Sequence, residues 1–279
     1  MKTIVTHTSP DIDAITSVWL IHQFLPGWKE AVFKFVPAGE TLHKAPVDTD
    51  TNIIHVDTGF GRFDHHQGNE DTCAATLVFE YLSYKKHLKN SDIPALQRLV
   101  DVINRYDHFR EVFLDEPNDD MHDFSLKSAI AGLRIKLQDD GEVMRVCEPL
   151  LDGVLINLKN KIHAEEIIDT QGHSYTSYWG KTLAVETEND EILQLAAKRG
   201  FEMAIRKSKQ HGHVRIKLHP KSKKNLNKLH ALLTKEDDIA TWYYHPSGKM
   251  LLNISSKNRN FKATKLSLNR IIEITKHIT

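Results

Sequence analysis

The stretch KTIVTHTSPDIDAITSVWL, residues 2–20, decides the fold class. Its first part, KTIV, is short and apolar and predicts a β-strand. A polar turn with Pro10 follows, and apolar residues then recur at helical spacing until Pro26 and Gly27. Further along, AVFKFV and NIIHVD predict two more strands. A strand, a helix and two further strands indicate the start of a parallel α/β sheet.

The rest of the chain alternates between helical and extended patterns. CAATLVFEYLSYKKHL and IPALQRLVDVINRYDHF predict helices, residues 115–123 a polar loop, and residues 124–138 and 141–168 two long helices. QGHSYTSYWG interrupts the helical pattern. From residue 181 onward, strands are predicted for KTLAVET and HVRIKLHP. Helices are predicted for EILQLAAKRGFEMAIRKS, NLNKLHALLTK and LSLNRIIEITKHI. A hairpin is predicted for ATWYYHPSGKMLLNIS.

These patterns predict an α/β protein of two domains. A parallel-sheet N-terminal domain spans residues 1–120, a helical linker spans 121–171, and a smaller C-terminal α/β domain spans 172–279. A chain of 279 residues is long enough to bury a core in each domain.

Charge is distributed unevenly along the chain. Residues 1–198 contain 19 Lys and Arg against 32 Asp and Glu, a net charge of −13, whereas residues 199–279 contain 18 against 5, a net charge of +13. This asymmetry predicts an acidic part that holds cations and a basic part that holds an anion. Two solvated surfaces that attract each other are the alternative.

The cysteine content and the hydropathy exclude several classes of protein. Cys73 and Cys147 are too few for a disulfide framework or a zinc–thiolate site. The N-terminal MKTIVTH turns polar early, and no run approaches the roughly 18 apolar residues of a membrane span. We therefore expect a cytoplasmic protein with no membrane partner.

Acidic and histidine side chains cluster where the predicted strands end. Ligands of open α/β sheets bind at the carboxyl ends of the strands, so these side chains are expected to converge. Mixed carboxylate and imidazole ligands suit Mn²⁺, Fe²⁺, Co²⁺ or Zn²⁺. Individually, each residue has a plainer interpretation, such as a helix N-cap or a buried histidine. The residues are His7, Asp11 and Asp13 after the first strand, Asp57 after the third, Asp64, His65 and His66 just beyond, and Asp107 at the end of a helix.

The motifs HTSPDIDAITS, HVDTG and FDHH, followed by a helical aspartate, resemble the DHH phosphoesterase superfamily. That superfamily includes RecJ-type exonucleases, oligoribonucleotide and cyclic-dinucleotide phosphodiesterases, exopolyphosphatases and family II inorganic pyrophosphatases. The resemblance covers about residues 1–110, and FDHHQ and NRYDHF are also similar to the MYG1 branch. It implies a DHH-type catalytic domain, joined to a second domain that grips the substrate.

The resemblance implies two divalent metal ions, with Mn²⁺ expected and Mg²⁺, Co²⁺, Fe²⁺ and Zn²⁺ as alternatives. Asp57 would bridge the ions, and Asp101 is the alternative to Asp107 as the last ligand. The implied ligands are His7 and Asp11 for the first ion, Asp13, His65 and Asp107 for the second, and Asp57 for both.

The resemblance also assigns His66 to the substrate phosphate and Asp64 to orienting an imidazole. In the basic part, Lys257, Arg259 and Lys262 are the predicted phosphate-binding residues. A second basic patch, Lys221, Lys223 and Lys224, and solvated loops are the alternatives. The second domain of the superfamily commonly contains a glycine-rich segment that ends in a histidine. This chain has no such segment after Arg199, because the glycines there are the isolated Gly200, Gly212 and Gly248.

The substrate expected from these features is a phosphodiester of single-stranded nucleic acid or a short oligonucleotide. Trp242, Tyr243, Tyr244 and Phe261 could then provide stacking platforms, although alternation would bury at least one of them. Two alternatives remain: hydrolysis of a small phosphate compound such as pyrophosphate, polyphosphate or a cyclic dinucleotide, and a non-catalytic nucleic-acid-binding protein with a vestigial metal site. The oligomeric state is left open.

Overall fold

The computed structural model describes residues 1–253 and 261–279. The chain divides into two compact units, Met1–Lys159 and Asn160–Thr279. The boundary falls inside the long helix α5 (Asp140–Gln171), within the predicted linker. The predicted domain limits at residues 120 and 171 remain predictions.

The first unit contains the predicted parallel sheet, which is confirmed. Its strands are β1 (Thr3–His7), β2 (Val32–Val36) and β3 (Ile53–His55), in the order β2-β1-β3. Helix α1 (Ile12–Phe24) connects β1 to β2. Because β1 is the central strand, the residues that follow it lie at the middle of the carboxyl edge of the sheet.

Further helices of the first unit pack around α1. Helices α2 (Ala74–Tyr84) and α3 (Ile93–Asp107) pack against α1 and against each other. In α3, buried apolar residues recur three and four positions apart, which gives the helix one core face. Helix α4 (Leu126–Leu137) precedes α5, and short 3₁₀ segments lie at Leu42–Lys44, Arg110–Phe113 and Asp120–Phe124.

The second unit is built on a mixed sheet with the order β4-β5-β6-β7-β9-β8. Strands β5 and β6 pair in parallel through a helical crossover, and the other neighbours pair antiparallel. The predicted hairpin is confirmed as β8 and β9. The strands are β4 (His173–Ser177), β5 (Gly180–Glu186), β6 (Met203–Lys207), β7 (Val214–Leu218), β8 (Tyr243–Tyr244) and β9 (Met250–Leu252).

Helices cover both faces of this mixed sheet. Alternate residues of β5 enter two separate cores: Leu183 packs with the end of α5 and with α6 (Ile192–Lys198), whereas Ala184 packs with α7 (Asn227–Glu236) and α8 (Leu268–Lys276). Over residues 1–253 and 261–279, no helix combines the length and the apolar composition that crossing a membrane requires.

One local prediction in the second unit is wrong. The segment EILQLAAKRGFEMAIRKS is helical only as far as Lys198, and the rest forms β6. Gly200 has a φ of 78°, and the amides of Gly200 and Phe201 donate to the carbonyls of Ala197 (3.1 Å) and Ala196 (3.0 Å), which closes the helix end. The predicted interruption of the helical pattern at QGHSYTSYWG is confirmed, and the segment contains strand β4.

Candidate metal centre

The first ligand group lies at the carboxyl edge of the parallel sheet. His7 is the last residue of β1, Asp57 follows β3 by two residues, and Asp11 is the N-cap of α1. One potential ligand atom from each of these side chains lies within 4.8 Å of the others. His7 Nε2 lies 3.2 Å from Asp57 Oδ2. Three separate segments are therefore brought together, as the parallel-sheet argument predicts.

A second ligand group adjoins the first. It contains Asp13, His65 and Asp107, again with ligand atoms within 4.8 Å of one another. His65 Nε2 lies 3.6 Å from Asp107 Oδ2 and 3.9 Å from Asp13 Oδ2. It also lies 3.5 Å from Asp57 Oδ1. The two oxygens of Asp57 thus face different histidines, one in each group.

Asp13 is also a structural anchor. The side chain is fully buried, and its two oxygens accept hydrogen bonds from the backbone amides of Ala74 and Ala75, each at 2.8 Å. These amides begin α2, where orphan N–H groups need acceptors. Asp11, by contrast, caps its own helix by accepting from the amides of Asp13 and Ala14. Both aspartates are therefore fixed in position by backbone amides.

Hydrogen bonds also orient two of the histidines. His7 Nδ1 donates to the Thr8 carbonyl at 2.9 Å, so Nε2, which faces Asp57, can carry a lone pair. His66 Nδ1 is 2.7 Å from Asp64 Oδ1, and the His66 side chain is exposed. A partner on Nδ1 leaves the other ring nitrogen to meet a ligand or a substrate. The buried Asp64 thus orients an imidazole at the mouth of the site.

The carboxylates raise the proton affinity of the imidazoles. Burial alone would lower the pKa of His7, but hydrogen bonds to Asp57 and to the Thr8 carbonyl, with the charges of Asp57 and Asp11, raise this pKa to about 9. The adjacent Asp57 carboxylate is the largest cause that raises the pKa of His65 to about 9, against the effect of burial.

The pKa values of the carboxylates shift in two directions. Burial, together with repulsion from Asp57, raises the pKa of Asp13 well above its ordinary value, and burial also raises the pKa of Asp107. Burial would raise the pKa of Asp57 as well, but contacts with His65 and His7 outweigh it and lower that pKa. The carboxylates and imidazoles of the centre therefore hold protons that a bound cation would displace.

Two buried polar atoms at the centre, Asp57 Oδ1 and His65 Nε2, have no hydrogen-bond partner within the part of the chain that the structure describes. Buried polar atoms are normally satisfied, so such a pair indicates a missing partner. A cation between them would contact both. The donor set of carboxylate oxygens and imidazole nitrogens fits divalent ions such as Mn²⁺. The residues present therefore fit two divalent metal ions, although the identity of the ion remains a prediction.

Two cavities adjoin the acidic centre. The first, of about 420 Å³, is lined by Asp57, His66 and Phe60, among others. The second, of about 270 Å³, is lined by Asp13, Asp107, Lys127 and Arg134, among others. Both cavities reach Asp11 and Asp107. The centre is therefore accessible from an aromatic side and from a basic side.

Sequence reasoning missed Phe60, Lys127 and Arg134. Lys127 is already paired with Glu111 and the Tyr106 carbonyl. Arg134 Nε, by contrast, is buried and has no hydrogen-bond partner among residues 1–253 and 261–279. A signal for Arg134 existed, because it follows the buried Ile130 by four residues and so shares its helix face.

Asp107 and Asp101, the two candidates for the last metal ligand, lie in different surroundings. Asp107 lies in the second ligand group, whereas Asp101 is exposed and accepts a hydrogen bond from the Gln97 amide at 2.9 Å. Lys257 and Arg259 lie outside the described residues. Lys262 is exposed in the second unit, where its backbone pairs with Thr241.

The four aromatic residues predicted to stack on bases lie in the second unit, and their surroundings differ from one to the next. Trp242 belongs to the core, Tyr244 stacks on His230, Tyr243 is partly exposed and Phe261 is half-buried.

A comparison with known protein families identifies the first unit. The family model described as the ChrB C-terminal domain matches residues 4–158, more than half of the chain. The chain belongs to this family. All six predicted metal ligands of this ChrB C-terminal domain family member lie within the matched residues. No curated protein matches the chain. The predicted similarity to the MYG1 branch stays a prediction.

Solved structures that match this ChrB C-terminal domain family member include DHH proteins. The pGpG-specific phosphodiesterase PggH from Vibrio cholerae has 16% identity and a TM-score of 0.30, with 98% of each chain covered. RecJ from Thermus thermophilus, in complex with Mg²⁺, has 14% identity and a TM-score of 0.29, with coverage of 99% of this chain and 49% of RecJ. A DHH domain of a member of the s1p family of ribosomal proteins has 12% identity and a TM-score of 0.29, with coverage of 98% and 85%. Similarities this low leave the function to be argued from the site itself.

Proposed function

We propose that this protein is a metal-dependent phosphoesterase. The observation that carries the proposal is that the two oxygens of Asp57 face His7 and His65, one histidine from each ligand group. An exposed, oriented histidine, His66, lies beside them. Two adjacent divalent ions, when bound, supply an activated water and take up charge on a phosphoryl oxygen. A purely structural metal site would be closed and would need neither an adjoining cavity nor a free imidazole.

Each residue of the centre has a proposed task. His7 and Asp11 would hold the first ion, Asp13, His65 and Asp107 would hold the second, and Asp57 would contribute to both. His66 is the catalytic residue that contacts the substrate phosphate, and Asp64 positions it through the 2.7 Å contact to Nδ1.

Arg134 is proposed as a phosphate-binding residue of the first unit. Its Nε atom is buried without a hydrogen-bond partner among the described residues, and its side chain lines a cavity with Asp13 and Asp107. A guanidinium beside such a cavity can donate hydrogen bonds to an anionic substrate oxygen. Lys257, Arg259 and Lys262 remain proposals for further phosphate contacts, supported by the positive charge of residues 199–279.

The proposed substrate is a phosphodiester of single-stranded nucleic acid or a short oligonucleotide. The basic charge spread over residues 199–279 supports it. A small phosphate compound is the second candidate, because a cavity of about 420 Å³ is in the usual range of small-molecule sites. The non-catalytic interpretation has less support, because both ligand groups are complete. A cytoplasmic location remains a prediction.

A substrate panel tests the proposal. Hydrolysis of a single-stranded oligonucleotide, a dinucleotide, a cyclic dinucleotide, pyrophosphate and polyphosphate is measured with Mn²⁺ and with a chelator. We expect Mn²⁺-dependent hydrolysis of one class. Binding of Mn²⁺ without hydrolysis of any substrate would contradict the proposal.

A further inference from the structure

Phe60 is an exposed aromatic residue in an unfavourable backbone conformation. It lies between Asp57 and Asp64, and its φ of 54° is in the left-handed region. Bulky side chains rarely adopt this region because the Cβ atom crowds the backbone. The ring is 54% exposed, so burial in a core does not account for the conformation. Unfavourable conformations of this kind concentrate at functional sites.

The backbone of the loop holds Phe60 in place. The Phe60 amide donates to Asp64 Oδ2 at 2.7 Å, the Asp57 amide donates to the Phe63 carbonyl at 2.9 Å, and the Asp64 amide donates to the Gly61 carbonyl at 3.1 Å. The same Asp64 carboxylate binds the His66 ring through its other oxygen. Phe60 and His66 are therefore fixed by one buried side chain.

The Phe60 ring lies against a glycine, and Phe60 lines the cavity at the metal centre. A Cβ atom on Gly39 would stand 3.4 Å from two atoms of the ring, so the ring packs beside the Gly39 backbone. Gly39 is itself held by Thr58, whose hydroxyl accepts from the Gly39 amide at 3.1 Å. Ala38, Gly39 and Phe60 form an apolar side of the cavity that also contains His7 and Asp57.

On these grounds, and resting on the proposed function, we infer that the Phe60 ring is the platform on which a nucleobase of the substrate stacks. Every nucleobase has a π-face that can stack on an aromatic ring, largely without regard to sequence. Pyrophosphate and polyphosphate contain no group that would gain from an apolar ring beside the phosphate site. The substrate class is therefore a nucleotide ester rather than an inorganic phosphate.

The test compares two ligands that differ only in the base: adenosine 5′-monophosphate and ribose 5-phosphate. Their dissociation constants are measured by calorimetry with Mn²⁺ present. We expect the wild type to bind adenosine 5′-monophosphate about tenfold more tightly, in line with base–aromatic stacking. Phe60→Ala should remove the difference, and Phe60→Tyr, which keeps the ring, should retain it.

A matched control is Tyr84→Ala, which removes another exposed ring, 80% accessible, at the end of α2. It should keep the tenfold preference, and thermal melting should show that every variant is folded. Equal binding of the two ligands by the wild type, or an unchanged preference in Phe60→Ala, would overturn the inference.

Hydrolysis of bis(p-nitrophenyl) phosphate with Mn²⁺ is measured alongside, so that the two proposals fail separately. Hydrolysis without a preference for the base-containing ligand refutes stacking on Phe60 and leaves the phosphoesterase proposal standing. A preference that depends on Phe60, without hydrolysis of any phosphodiester, supports the base platform and refutes the proposed activity.

Discussion

Loading the centre with metal should release protons, because two of the predicted ligands hold protons in the metal-free protein. His7 and His65 both have a pKa raised to about 9, and an imidazole must be neutral to bind a metal ion. Because protonated histidine competes with the metal, metal affinity should rise with pH until the pH reaches the raised pKa. The perturbation is a pH change from 7 to 8.

The expected magnitude follows from the raised pKa. At pH 7.5 a histidine with a pKa of about 9 is almost fully protonated, whereas one with the ordinary pKa of about 6.5 is only about one tenth protonated. The metal dissociation constant should therefore fall about tenfold between pH 7 and 8 for each site that contains one such histidine.

Isothermal titration with Mn²⁺ in two buffers of different ionisation enthalpy measures both quantities. We expect at least about one proton released per ion bound, because Asp13 also has a raised pKa. Asp101→Asn, which changes an exposed carboxylate outside both ligand groups, should titrate like the wild type. A metal affinity that does not change between pH 7 and 8, with no proton release, would refute the assignment of these histidines.

Three further predictions concern the residues around the ions. Asp64→Asn should lower kcat about 10- to 100-fold with little change in KM, since it weakens the contact that orients His66. An unchanged kcat in steady-state kinetics would show that Asp64 has no part in the mechanism. Arg134→Gln should raise KM at least about tenfold and change kcat less, because a charge-assisted hydrogen bond to substrate is lost, and Arg134→Lys should recover part of the loss. Lys257→Ala combined with Arg259→Ala should also raise KM more than it lowers kcat, and unchanged kinetics would place the basic contacts elsewhere.

The parallel sheet was predictable because its signals are local and consistent. An apolar strand, a polar turn and a helix with 3.6-residue periodicity appear in that order before residue 26, and β1 and α1 match them closely. The next apolar run, AVFKFV, matches β2. The convergence of His7, Asp11 and Asp57 follows from the same logic, since β1 and β3 are neighbours in one sheet. The order of the strands was therefore enough to predict that these side chains lie close together.

The second unit was harder to predict because two of its signals are ambiguous. AAKRGFEMAIRKS contains good helix formers on both sides of Gly200, and only the positive φ at that glycine turns the chain from helix α6 into strand β6. Strand β4 is an edge strand of mixed polarity, with most of its residues exposed or half-buried, so it lacks the alternation that marks a strand.

Other features of the centre depend on tertiary structure alone. The bonds from Ala74 and Ala75 to Asp13 join positions 61 and 62 residues apart, and nothing in the local sequence indicates that the aspartate of one helix anchors the start of another. The exposed ring of Phe60 has the same origin. Its sequence neighbours are typical of a turn, and its position in the cavity follows from hydrogen bonds of the folded loop.

The most direct test of the two-ion centre is the metal content and the Mn²⁺-dependent phosphodiester hydrolysis of Asp57→Asn beside Asp101→Asn. Asp57 is the carboxylate that faces both ligand groups, whereas Asp101 is exposed. We predict that Asp57→Asn, while still folded, binds fewer than two ions and loses hydrolysis, and that Asp101→Asn binds two ions and hydrolyses at the wild-type rate. Two bound ions and a wild-type rate in Asp57→Asn would contradict the bridging role of this carboxylate and, with it, the proposed mechanism.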